Sequence, residues 1–122
     1  MARVLVIEDD EVTRTLARRM LVEAGYEVEE AVDGVEGLRL FGQLSPDLVL
    51  TDINMPGLDG HDVIEAIRVM RADTPIIAIS GGGPTEQDDL LLKASALGAA
   101  EIIVKPFEFR QLVGAVKRAL GS

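Results

Sequence analysis

The stretch "LVLTDINMPGLDG", Leu48 to Gly60, decides how this chain folds. Leu48, Val49 and Leu50 read as a buried strand that runs directly into Asp52, and a turn marked by Pro56 and Gly57 follows. A carboxylate at the end of a buried strand costs free energy unless something pairs with it. The partner must come from elsewhere in the chain.

Four further runs share the character of the first. They are "RVLVIE" (3–8), "YEVEEAV" (26–32), "PIIAIS" (75–80) and "EIIVK" (101–105). All but the second are nearly continuous in Val, Ile and Leu, the pattern of parallel strands covered on both faces. The second interleaves Glu27, Glu29 and Glu30 and fits an edge strand. Helical period fills the gaps. The apolar stripes are Leu16, Ala17, Met20, Leu21 and Ala24 in 11–24; Val35, Leu38, Phe41 and Leu44 in 34–44; and Val63, Ile64, Ile67 and Met70 in 60–71. They continue as Leu90, Leu91, Ala94 and Leu97 in 87–97, and as Phe109, Leu112, Val113, Val116 and Leu120 in 108–120. Gly25 and Gly98 are placed to stop the helices before them.

Alternating strand and helix implies right-handed crossovers and a parallel sheet between helices. Five units predict an α/β, doubly wound, flavodoxin-like fold with strand order 2-1-3-4-5, flanked by five helices and forming one domain over 1–122. In such folds ligands bind outside the carboxyl ends of the strands.

Composition narrows the function. Of 122 residues, 48% are hydrophobic, which is ample for a core, and 21 acids against 12 bases give a net charge of −9. That balance repels phosphate backbones, so nucleic-acid binding is not expected. The absence of Cys excludes disulfides, thiolate metal sites and a cysteine nucleophile. The opening "MARVLVIEDD" has too short an apolar run for a signal peptide, and no run approaches the roughly 20 residues that span a bilayer. These features read as a soluble cytoplasmic protein with no membrane partner.

The predicted strand ends carry the chemistry. Glu8 and Asp9, followed by Asp10, close the first strand, and Asp52 closes the third; Ser80 and three glycines close the fourth, and Lys105-Pro106 the fifth. A parallel sheet brings them to one edge. Clustered carboxylates call for a cation, and oxygen ligands without His or Cys select a hard ion such as magnesium. Lys105 and Ser80 can bind phosphate oxygens. Asp52 is then placed to attack phosphorus and form an aspartyl phosphate. Each element alone has a plainer explanation: acids favour a helix N-terminus, a lone Asp caps a turn, a strand-end Lys is solvated, and "SGGG" is a loop. His61 lacks a second ligand and reads as a surface residue of the third helix, while Met55 and Met70 read as packing. The joint occurrence at four ordered strand ends favours the chemical explanation.

"VLVIEDDE", "LVLTDINMPGLDG", "IIAIS" and "IIVKPF", in this order, resemble the receiver domain of two-component response regulators, of the chemotaxis-type single-domain kind. The resemblance covers the whole chain. It implies that Asp52 is the phospho-acceptor, served by a sensor histidine kinase, a histidine phosphotransfer protein of a phosphorelay, or small acyl phosphates. It implies Mg2+ bound by Glu8, Asp9, Asp52 and the backbone carbonyl of Asn54, with Asp9 the more direct ligand of the acidic pair. Ser80 matches the switch hydroxyl and Lys105 the phosphate-contacting lysine, with a cis bond to Pro106. The position three before the lysine, usually aromatic in the family, is Ile102, so readout is expected through packing of Ile102 or other contacts. The stretch from Ser80 to Gly98 is about three residues longer than usual, and Gly82 offers no side chain to orient an attacking water.

The implied function is a signalling switch, not an enzyme beyond its own phosphorylation and dephosphorylation. Phosphorylation changes the face made by the fourth helix, fifth strand and last helix, and so regulates a downstream protein target as a monomer or a phosphorylation-dependent dimer. The start "MARVL" argues against a preceding domain, while a receiver module of a longer multidomain regulator stays open. A degenerate receiver acting as an interaction module is the other alternative. An aspartate-nucleophile phosphohydrolase needs an acid two residues after Asp52, where Asn54 stands. "SGGGPTEQD" matches no nucleotide-binding fingerprint.

Overall fold

The structure, a computed structural model, describes residues 2–53, 55, 57–58, 60–81 and 98–121. Five strands lie in one parallel sheet: β1 (Arg3–Ile7), β2 (Glu27–Ala31), β3 (Leu48–Asp52), β4 (Ile76–Ser80) and β5 (Glu101–Val104). Their spatial order is β2-β1-β3-β4-β5, the predicted flavodoxin-like order. Four helices are described: α1 (Glu11–Glu23), α2 (Gly34–Leu44), α3 (Gly60–Met70) and α4 (Phe109–Leu120). The helix expected over 87–97 lies outside the described residues, as do Asn54, Pro56, Gly82 and the glycine-rich loop beyond Gly81.

Alternation along the central strands divides the core in two. Val4, Val6, Leu48, Leu50, Ile77 and Ile79 face α1 and α4, meeting Ala17, Leu21, Leu112 and Val116. Leu5, Ile7, Val49, Ile76 and Ala78 face α2 and α3, meeting Phe41, Val63, Ile64 and Ile67. Every residue of β3 and β4 is buried, because helices cover both faces of a parallel sheet. β2 pairs only with β1 and is exposed at alternate positions, as its interleaved glutamates require.

Helix starts are set by side chains. Asp10 caps α1, accepting from the Thr13 amide at 3.0 Å, and Asp33 caps α2, accepting from the Glu36 amide at 2.8 Å. Gly25, with φ +98°, follows the end of α1 in a conformation that glycine adopts freely.

Several surface assignments differ from expectation. His61 is buried, not on the surface, at 5% exposure. It flanks Gly60, where an added Cβ would lie 2.2 Å from the Asp52 carbonyl oxygen and 2.4 Å from Ile53 Cα. The start of α3 is therefore pressed against the main chain that follows β3, and its first turn is shielded. Leu16, Val35, Met70 and Phe109 are exposed at 42%, 68%, 50% and 39%. The buried positions of α2 are Gly34, Gly37 and Phe41 instead: Gly37 lies against Ile7 of β1, and Gly34 against Leu58 and Val63. An added Cβ at Gly37 would meet Ile7 Cδ1 at 2.5 Å, so the smallest residues set the closest approach. Met55 is buried in the α2–α3 core as expected.

Because Gly60 abuts backbone, Gly60→Ala cannot be absorbed by a rotamer change. We expect a loss of about 2 kcal/mol in urea unfolding, typical of overpacking.

Candidate functional site

The register brings the charged strand ends together. Val4 of β1 pairs with Leu48 of β3, Val49 with Ile76 of β4, and Ser80 with Val104 of β5. Single hydrogen bonds carry the pairing past the strand ends: Glu8 N to Ala31 O (3.1 Å), Ile53 N to Ile79 O (3.0 Å) and Lys105 N to Ser80 O (2.7 Å). Glu8, Asp52, Ser80 and Lys105 thus stand on one edge, over the carboxyl ends of β1, β3, β4 and β5. The Lys105–Pro106 bond is cis.

Lys105 is the centre of this cluster. Its Nζ donates to Asp52 Oδ2 at 2.9 Å and lies 2.6 Å from Glu8 Oε1. Glu8 has no solvent exposure and Asp52 has 2%. Burial, and then the adjacent Asp52 carboxylate, push the Glu8 carboxyl up to about 8, while Lys105 pulls the other way. Burial opposes the Lys105 charge, but attraction to Glu8 and Asp52 outweighs it and raises the ammonium above the usual lysine range.

The other candidates fall around this pair. Asp9 is exposed beside it. Carboxylate oxygens of Glu8, Asp9 and Asp52 all lie within 4.8 Å of one another. Three convergent carboxylates without imidazole or thiolate fit a hard divalent cation, which wants oxygen ligands. Asn54, the fourth expected ligand, lies outside the described residues. The Asp10 carboxylate lies outside this cluster and caps α1, and its hydrogen bonds from Thr13 lower it below the usual range. Ser80 is fully buried, and its Oγ has no hydrogen-bond partner among the described residues. A buried hydroxyl is rarely left so, and at this edge it suits an arriving anionic oxygen. Ile102 is half-buried on β5 opposite Ala78 and packs against the α2–α3 core.

Arg14 was not anticipated. From α1 its Nη1 donates to the Glu8 carbonyl at 2.9 Å, and its Nε lies 3.6 Å from Glu30 Oε1. The only signal in the sequence is that Arg14 stands one helical turn after Asp10, on the side of the helix facing the acidic loop.

Known proteins resemble this chain in sequence and in fold. The chain is 41% identical over 118 residues to the transcriptional regulatory protein PrrA of Mycobacterium tuberculosis, covering 97% of this chain and 49% of that one. It spans about half the length of the first curated relatives it matches. It is 35% identical to the chemotaxis protein CheY of Thermotoga maritima over 95% of each chain. A response regulator receiver domain protein from Clostridium thermocellum superposes with a TM-score of 0.90 at 32% identity, covering 99% of this chain and 95% of the other. Residues 4–117 match the family model of the response regulator receiver domain, and the chain belongs to that family.

Proposed function

We propose that residues 1–122 form a single receiver domain that accepts a phosphoryl group on Asp52 from a histidine kinase, a histidine phosphotransfer protein or a small acyl phosphate. The observation that carries this reading is the Lys105 ammonium held between two buried carboxylates, beside a buried Ser80 hydroxyl with no partner among the described residues. Receiver domains act as signalling switches and bind magnesium at an acidic pocket; Glu8, Asp9 and Asp52 would hold it here. Bound magnesium supplies positive charge that neutralises phosphoryl oxygens.

The residues of the chain then divide the work. A carboxylate oxygen of Asp52 forms the new bond to phosphorus as the bond from phosphorus to the donor's nitrogen or oxygen breaks, and the leaving group keeps that electron pair. Lys105 moves its ionic contact from the carboxylate to a phosphoryl oxygen, and Ser80 donates its hydroxyl hydrogen to another. Ser80 and Lys105 sit on adjacent strand ends linked by the Lys105 N to Ser80 O bond, so both respond to the same added charge. That response biases two pre-existing arrangements and alters the surface around β5 and α4, where a protein target would bind. Ile102, in the place of the family's usual aromatic residue, would act through its packing. The curated relatives of twice the length favour a second reading, in which the receiver controls an attached output domain.

Three outcomes test the proposal. Incubated with acetyl phosphate and magnesium, the protein should gain one phosphoryl group by intact mass, and Asp52→Asn or added chelator should abolish the gain. A folded, magnesium-bound protein that gains nothing would make it a degenerate receiver. Lys105→Ala should still accept the group, more slowly, but should lose the phosphorylation-linked change in amide exchange across 98–121. The third outcome concerns pH. Glu8 binds its proton more tightly in the folded state, so its contribution to stability is present below about pH 4.5 and lost as pH rises through about 8. Without magnesium, the Tm of the wild type relative to Glu8→Gln should fall across that window. Magnesium affinity should rise across it, with proton release on binding.

A further inference from the structure

We infer that Arg14 is a positioning residue for the acidic pair: it holds the Glu8 main chain so that the Glu8 and Asp9 carboxylates keep the spacing a divalent cation requires. This rests on the magnesium site proposed above.

β1 ends at Ile7, so the backbone at Glu8 has left regular sheet. Its amide still donates to Ala31 O at 3.1 Å, and its carbonyl accepts from Arg14 Nη1 at 2.9 Å. Both polar groups of this one peptide position are therefore tied, one to the edge strand and one to α1. Arg14 is itself anchored. Its Nε is 3.6 Å from Glu30 Oε1, and the other oxygen of that carboxylate is 3.4 Å from Arg18 Nε. A planar guanidinium suits this task, because its donors point in fixed directions and can grip two acceptors at once. The Arg14 side chain is only 16% exposed, against 39% for Arg18.

The far end of the acidic segment is fixed as well. Asp10 caps α1 through Thr13, and its amide points at Glu8 Oε2, 3.5 Å away. Asp9 lies between two clamped residues, and Arg14 is the clamp on its N-terminal side. Loosening that clamp frees the Glu8 peptide to rotate and spreads the carboxylates.

A mere charge effect has the opposite sign. A guanidinium near an acidic site repels a divalent cation, so deleting it as a charge alone would tighten binding. Deleting it as a clamp weakens binding. Supporting residues of metal ligands are typically worth about tenfold or more in affinity.

The test is a magnesium titration by calorimetry on wild type, Arg14→Ala, Arg14→Lys and Arg18→Ala, with thermal unfolding as a check on fold. We expect Arg14→Ala to bind magnesium about tenfold more weakly. Arg14→Lys keeps the charge without the two-ended grip and should also bind more weakly. Arg18→Ala removes the same charge and a contact to Glu30 but not the hold on Glu8, and should bind as wild type or slightly tighter. In magnesium-free buffer, amide exchange at Asp9 and Asp10 should quicken in Arg14→Lys but not in Arg18→Ala. Wild-type affinity in Arg14→Lys, or equal weakening in Arg18→Ala, would overturn the inference, and Arg14→Lys decides it should Arg14→Ala fail to fold. A wild-type protein that neither binds magnesium nor takes up phosphate would instead overturn the proposed function.

Discussion

Three charges at one edge of the sheet hold the remaining features in place: the Lys105 ammonium and the carboxylates of Glu8 and Asp52. Two buried carboxylates side by side repel each other and lose solvation. The ammonium offsets part of that cost, and removing one partner of such a group leaves an uncompensated buried charge. The arrangement depends on strand order. β1, β3 and β5 come from distant parts of the chain, and only the 2-1-3-4-5 order sets their ends within reach of one lysine. Much of the core serves this end, since the fully buried β3 and β4 fix the register that aims Asp52 and Ser80.

The strand ends were legible in the sequence because each announced itself twice, by an apolar run and by the polar residue that stopped it. The helices were less so. A helical period marks a stripe but does not say which part of it touches the sheet. On α2 the stripe suggested Val35, yet the sheet is met by Gly37, whose lack of a side chain admits Ile7, while Gly34 admits Leu58 and Val63. Counting apolar residues overlooks a contact made by absence. His61 failed for a related reason: a polar residue at a helix start reads as surface until the neighbouring Gly60 is seen against the Asp52 carbonyl. Arg14 escaped notice because its partner is a backbone carbonyl, and carbonyls have no letter in a sequence.

The same geometry shows how a local charge could reach the surface. Ser80 has no exposure, but its partner across the ladder, Val104, is 43% exposed. One strand spacing separates the buried hydroxyl from solvent. Ile102 on that strand packs against the α2–α3 core, so β5 adjoins the carboxylate–lysine edge, the core and the exterior within a few residues.

The open flanks of the sheet carry a last consequence. Any sheet that does not close leaves unpaired amides and carbonyls at its margins, where a stray strand from another molecule can add on. β2 meets this hazard with carboxylates: Glu27 and Glu29 are exposed along it, and Glu30 is held by two arginines. β5 is only four residues long, with Glu101 paired to Arg118 of α4 at 3.1 Å. The acidic residues that make β2 a poor match for a hydrophobic strand therefore guard the protein against aggregation, and replacing them with Val or Thr would trade that protection for a stickier margin.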